Sequence, residues 1–447
     1  MDDLLAARSQ MAMSLAFHII FAAIGIAMPL LMIIAEWKWR RTKDEIYLTL
    51  AKRWAKGTAI LFAVGAVSGT VLSFELGLLW PGFMGYAGSI IGMPFSLEGF
   101  AFFTEAIFLG IYLYGWQRVP PRAHLFAGAM VAVSGALSGI FVVIANAWMN
   151  APAGFRLVDD KPVDIDPIAA MMNSAALPQT LHMTLAAYAA TGFVVAGIHA
   201  FMLLRDPRNR FHKAALAIAL VVGGVTAILQ PLSGDLLAKS VAKTQPVKLA
   251  AFEGQFHTEQ GAPLRIGGIP DETAGVTRYA IEVPYALSIL AYGDPSATVK
   301  GLNEFRADER PPVAVVHIAF QIMVACGVAM MLIAIWGAWR YWRARRNERW
   351  LASKWFLRLL VAGAPLGFIA IETGWVVTEV GRQPWIIYGV MRTSEAVTPM
   401  PGLVVPFITF TLLYILLAVV TVWLLLRQVA ASPRAFEPER KEAQLAA

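Results

Sequence analysis

A single cysteine, Cys326, stands in a chain of 447 residues, and it lies inside an apolar run. One thiol forms no intramolecular disulfide, and an iron–sulfur or zinc site built from cysteines is excluded. Charge is also scarce: Asp, Glu, Lys and Arg make up 15% of the chain, against about a quarter in a soluble domain. That shortage excludes a soluble fold of this length. The apolar runs are continuous rather than alternating, which excludes a membrane β-barrel. No cleavable leader is expected, because the first run is too long for an h-region and no small-residue cleavage site follows it. No internal repeat marks an inverted-repeat transporter.

What is present is hydrophobicity: 58% of residues are apolar and the mean hydropathy is +0.60. A helix needs about 20 apolar residues to cross a bilayer. Nine runs qualify: Met11–Trp37, Gly57–Leu79, Phe95–Trp116, Leu125–Trp148, Leu181–Leu204, Ala214–Leu232, Val313–Trp339, Leu357–Thr378 and Val404–Leu426. The expected fold is therefore an all-α polytopic membrane protein with about nine spans. The net charge of +7 follows from its loops and needs no nucleic acid. KWRRTKDEIYLTLAKRWAK, QRVPPRAH, RDPRNRFHK and WRYWRARRNER occupy every second connection, with RQVAASPRAFEPERK on the same side. The positive-inside rule puts these segments in the cytoplasm and the N-terminus in the periplasm. Trp37, Trp54, Trp80, Trp116, Trp148, Trp339 and Trp355 fall near run ends, where interfacial anchors are expected. The division expected is 1–232 for helices 1–6, 233–312 for a long periplasmic loop, and 313–447 for helices 7–9 and a cytoplasmic tail. A loop of that length is functional or disordered.

Titratable groups inside hydrocarbon are costly and need a partner or a job. With that orientation, His18, Glu75, Glu98, Glu105, Asn146, His182, His317, Gln321, Met323, Glu372 and Glu379 all fall in the outer half, from separate helices. Imidazole, thioether and carboxylate are side chains that hold haem iron. Glu98 and Glu105 are seven apart and share a helix face, and Glu372, Trp375 and Glu379 follow i, i+3, i+7. Arg382 is placed to pair with Glu379. By residue type alone, Met323 is packing, His199 and His317 are interhelical hydrogen-bond partners, and Lys248 with Glu253 is a solvated loop pair.

The residues GRQPW at Gly381–Trp385, the preceding ETGWVVTE, and KLAAFE at Lys248–Glu253 carry a resemblance that SLEGFAFFTEAIFLGIYLYGW and ANAWMNAP extend. In these motifs and in span order, over nearly its whole length, the chain resembles subunit I of the cytochrome bd-type quinol oxidases. The resemblance implies three haems. His182 and Met323 match the axial pair of a low-spin haem b, His18 the ligand of one high-spin haem, and Glu379 the carboxylate ligand of the other. One of these is a high-spin haem b and the other haem d or a further haem b. Glu98 matches the acid beside the oxygen-reacting haem, and Glu105 the acid on its proton route, with Ser138 and Asn146 as neighbours. Arg382 and Arg8 match positions at haem propionates, Trp375 the tryptophan between haems, and Lys248 with Glu253 the quinol pair, which the loop is expected to bring together.

The implied activity is oxidation of ubiquinol or menaquinol at the periplasmic side and reduction of O2 to water with cytoplasmic protons. Charge is then separated without pumping. The implied partners are a homologous haem-free subunit II, a single-helix small subunit in some complexes, and the lipid of the bacterial inner membrane. Two departures stand out: Gln321 where relatives often have Arg, and a Glu98–Glu105 spacing of seven where relatives can have eight. With the short C-terminal part and IIYGVMRTSEAVTP, they resemble the cyanide-insensitive branch. The competing functions are a membrane haem protein that only passes electrons between quinone and a partner, a secondary transporter, and a structural membrane subunit.

Overall fold

Helix boundaries follow capping chemistry more closely than hydropathy. The computed structural model describes residues 1–344, 348–351 and 353–431. Among them, nine helical segments are long and apolar enough to cross a membrane. The first four are α1 (Asp3–Thr42), α2 (Glu45–Leu79), α3 (Pro81–Tyr114) and α4 (Pro121–Asn150). A short α5 (Pro167–Met171) precedes α6 (Ala176–Arg205) and α7 (Arg210–Thr244). Next come α8 (Pro246–Glu253) and α9 (Ala286–Tyr292), then α10 (Val313–Arg343). The eighth span is split into α11 (Lys354–Gly363) and α12 (Leu366–Val380); α13 (Thr393–Ala396) and α14 (Val404–Ala430) complete the order.

Several helices outrun the apolar stretches that mark them. Asp44 caps α2 by accepting from Ile46 N at 3.1 Å, so the helix begins in charged sequence well before Gly57. Pro81 opens α3, where its missing N–H costs nothing, and Pro94 is carried inside the helix. The helix α7 passes Leu232, the end expected from hydropathy, and continues to Thr244, with Lys239 donating to Asp235 at 2.6 Å one turn away. The long connection therefore starts at Gln245 rather than Ser233. The tail segment RQVAASPRAFEPERK and part of WRYWRARRNER lie outside the described residues.

Small residues set the helix contacts, as expected where lipid offers no hydrophobic drive between helices. A Cβ on Gly192 of α6 would lie 2.4 Å from Gly223 Cα of α7, so these backbones touch. On both sides of the break in span eight, α6 meets the chain the same way: Gly197 against Ala364 and Gly367 against Ala190. Pro365 accounts for the break, because proline cannot continue the hydrogen-bond ladder. A transporter predicts broken helices, but this break lies remote from Glu379, at the other end of α12.

The 245–312 connection is ordered. It holds α8, α9 and antiparallel strand pairs joining Leu264–Ile266 to Ile281–Val283, Ile269–Asp271 to Val276–Arg278, and Glu259–Gln260 to Thr298–Val299. Phe252, Phe256, Leu287, Val299 and Leu302 form a buried core with Val313 and Val316 of α10. Two side chains of α10 pin it down. His317 is buried between the carbonyls of Phe252 (2.8 Å) and Gly267 (3.0 Å). Gln321 accepts from Gly267 N at 2.9 Å and donates to Arg265 O at 3.1 Å.

The tryptophans divide. Trp37, Trp339 and Trp355 are exposed, as anchors should be, but Trp54, Trp80 and Trp148 are core residues. Trp148 donates to Ala153 O at 2.9 Å, which satisfies an indole that a lipid interface would otherwise hydrate.

Candidate functional site

Three of the four candidate iron ligands are built to one pattern. His18 of α1 has Nδ1 2.9 Å from Ser68 Oγ of α2, and a Cβ on the adjacent Gly69 would lie 3.0 Å from its Cε1. His182 of α6 has Nδ1 3.0 Å from Ser233 Oγ of α7, with Gly234 alongside, 3.5 Å by the same measure. Met323 of α10 faces Gly374 of α12, whose Cβ would lie 3.1 Å from Sδ. Each ligand candidate thus lies against a glycine of the neighbouring helix. For both histidines a serine hydroxyl fixes Nδ1, an arrangement that orients metal-binding imidazoles. Gln230 Nε2 lies 3.2 Å from His182 Nε2, the nitrogen iron would take, so this amide has to turn aside for the metal.

Glu379 accepts from Arg382 Nη2 at 2.5 Å and from the Asn146 amide. The expected Glu379–Arg382 pair is thus present. Arg382 is 2% exposed, yet its Nε and Nη1 have no partner. Two buried guanidinium donors left open fit an anionic group such as a haem propionate. The Glu372 Oε1 atom is likewise unpartnered, and Trp375 is half-buried between these two acids in sequence. Arg8 is exposed on the first turns of α1. This donor set, with open acid and guanidinium atoms beside it, fits haem.

The acids of α3 lie on the face that meets α4. Ser138 donates to Glu98 at 3.1 Å, whereas Glu105 is buried against Gly135, whose Cβ would lie 3.2 Å from the carboxylate. The neighbours expected for Glu105 are therefore reassigned: Ser138 serves Glu98, and Asn146 serves Glu379. The one-turn offset between Ser138 and Gly135 decides this, since each α4 position meets the α3 residue at its own depth.

Lys248 and Glu253 are not brought together. Both lie on α8, five residues and hence about 140° apart around the helix. Lys248 Nζ donates to Asn150 Oδ1 at 2.6 Å and to Thr378 O at 3.1 Å, which places it in the Glu379–Arg382 cluster. Burial, aided by the Arg382 charge, holds its ammonium well below the usual lysine range. Glu253 faces the loop core instead. Its Oε2 is buried without a partner, and burial pushes its carboxyl up to about 8 against the weaker pull of Arg265.

Sequence reading passes over several polar groups. Glu36 of α1 is fully buried, receives Arg40 at 2.5 Å, and lies 3.0 Å from His124 Nδ1 at the start of α4; His124 Nε2 is 3.0 Å from Tyr112 O. Glu36 lies within the run Met11–Trp37, but as its last acid it reads as a loop charge. His199 does pair with His212 across α6 and α7, at 2.9 Å.

Comparisons with known proteins agree with this architecture. Residues 6–433 match the family model described as cytochrome bd terminal oxidase subunit I. A Bacillus subtilis protein provisionally named a cytochrome bd menaquinol oxidase subunit I is 39% identical, over 95% of this chain and 96% of its own. A cytochrome bd ubiquinol oxidase subunit 1 of the same organism is 33% identical, over 96% and 94%. The solved bd oxidase from Geobacillus thermodenitrificans superposes with a TM-score of 0.90 at 42% identity, covering 97% of this chain and 99% of that one. The chain belongs to the cytochrome bd terminal oxidase subunit I family.

Proposed function

We propose that this chain carries the haems and the quinol-oxidising loop of its oxidase, with the loop on the periplasmic side and oxygen reduction fed by cytoplasmic protons. The family makes it part of a quinol:oxygen oxidoreductase of the bacterial inner membrane that works with haem and a second subunit. One observation carries the finer reading: the shared construction of His18 and His182, each with a serine hydroxyl at Nδ1 and a glycine alongside. When bound, haem supplies electron transfer at an iron with two protein ligands and oxygen reduction at an iron with one.

The chain's own residues do the rest. His182 and Met323 come from α6 and α10 and would hold the low-spin haem b, while His18 and Glu379 would each hold one further haem. Arg382 offers its open Nε and Nη1 to propionates. Glu253, facing the core of the folded loop, accepts a proton from quinol once ionised. Lys248 belongs to the propionate end rather than to the base, so the two ends of α8 divide quinol chemistry from the haem cluster. Glu105 and Glu98 form a line of carboxyls along the α3–α4 seam, suited to carry protons inward from the opposite end.

The test is Glu253→Gln in the assembled complex. Quinol oxidation should fall by about 100-fold, the lower end of what a positioned proton acceptor contributes. Oxygen reduction from an artificial electron donor should continue. Equal loss with both donors would overturn the assignment.

A further inference from the structure

Where α1, α2 and α14 meet there is a buried polar cluster that the proposed reaction does not use. Gln10 Nε2 donates to Glu75 Oε1 at 2.9 Å, and Ser14 Oγ donates to the same oxygen at 2.8 Å. Glu75 and Gln10 are 3% and 1% exposed, Ser14 is fully buried, and Tyr414 of α14 is 3% exposed. Three polar atoms here have no partner: Glu75 Oε2, Gln10 Oε1 and Tyr414 Oη. The first two belong to side chains already joined by a hydrogen bond, and both are acceptors when the acid is ionised. One proton on Glu75 Oε2 turns that atom into a donor. The acid and the amide then close a ring of two hydrogen bonds, and both orphaned atoms are satisfied at once. Among the described residues the groups facing Glu75 are Gln10 and Ser14 from α1 and Tyr414 from α14, and no cation pairs with it. A buried carboxylate without a counter-charge is strongly disfavoured, whereas a neutral acid bonded to an amide is not.

The cluster shares a helix seam with His18. Ser14 lies one turn from His18 on α1, and Ser68, which holds the His18 ring, lies two turns from Glu75 on the same face of α2. We propose that Glu75 is a proton-binding site, held as the neutral acid in a cyclic acid–amide pair with Gln10, and that it exchanges this proton when the charge at the His18 redox centre changes. The second clause rests on the haem reading of His18 given above. The O–H bond of Glu75 breaks, and the proton passes to water at the end of the bundle where α1 begins, Gln10 being about 10 Å along the helix from Asp3. The electron is the one the oxidase already moves.

Infrared spectroscopy of the purified complex tests this, with protein in the oxidised and the reduced state. At neutral pH the C=O stretch of a protonated carboxyl should be present in the reduced protein, give way to a carboxylate band on oxidation, and be missing from Glu75→Gln. The substituted amide can still pair with Gln10, so the helices should assemble. If they do not, Gln10→Leu leaves the acid in place and should shift its band. A carboxylate band in both redox states overturns the proposal, as does an acid band of equal intensity in both states or one unmoved by Gln10→Leu. Visible spectra of His18→Ala separately test the ligand: an unchanged haem spectrum there refutes the reading of His18, whatever the carboxyl band shows.

Discussion

At the scale of single residues, the site depends on what each titratable group is allowed to pair with. Glu253 and Lys248 are both buried on one short helix, but one is left without a hydrogen-bond partner on its Oε2 and the other donates to two oxygens. Because burial raises the Glu253 carboxyl to about 8, the ionised form that can take a quinol proton grows as pH rises through that value. Quinol oxidation at saturating substrate should therefore climb from about pH 7 to about pH 9, and Glu253→Gln should abolish the climb. A flat profile in the wild type would count against Glu253 as acceptor. The ligand residues make a second prediction. His182→Ala or Met323→Leu should remove the low-spin haem absorption while folded protein remains, and an intact signal in both variants would refute the pair. In the sequence these residues are singled out by their place inside apolar runs and by the family resemblance. Their supports are not: Ser68, Ser233, Gly69, Gly234 and Gly374 are ordinary in composition, and only packing gives them a role.

At the scale of elements, boundaries and connections carry the information that hydropathy misses. Runs such as Val313–Trp339 and Val404–Leu426 start where the helices α10 and α14 start, because Pro311 and Pro312 precede the one and Pro401 and Gly402 the other. By contrast α2, α3 and α7 extend through polar or glycine-rich sequence, held by Asp44, by Pro81 and by the Asp235–Lys239 pair. The Lys248–Glu253 expectation failed for a related reason: α8 is hidden in a connection without long periodicity, and once helical it turns the two side chains apart. The observed role of Gln321 is mechanical. Gln321→Ala would leave Gly267 N and Arg265 O without their partner, a cost of about 1–3 kcal/mol, and should speed hydrogen exchange across 254–283. Unchanged exchange would show that His317 suffices. In the bundle itself, a side chain at Gly197 would meet Ala364 Cβ at 2.5 Å and Leu360 O at 2.9 Å. Gly197→Leu should lower the thermal stability of the complex by about 1–3 kcal/mol or more, read as an earlier unfolding midpoint.

At the scale of the molecule, the nine long apolar helices among the described residues gather titratable side chains near the end of the bundle that carries the folded loop, while Glu36, His124, His199 and His212 pair at the other. That asymmetry was legible from loop charge and residue position alone, because both depend on helix direction and not on packing detail. The pairings within the cluster, such as Ser138 with Glu98 and Asn146 with Glu379, needed the helix rotations that only packing fixes. Glu105, buried against Gly135 along the α3–α4 seam, is the step at which protons from the far end would enter. Glu105→Gln should slow oxygen reduction while leaving quinol binding near wild type; unchanged turnover would remove it from the route. The central claim is that these helices hold iron between them. A map of the purified complex at a resolution that shows metal tests it directly. Iron should lie between His182 Nε2 and Met323 Sδ, with further irons at His18 and at Glu379. Side chains packed against one another or against lipid at those three places, with no iron between them, would contradict the account.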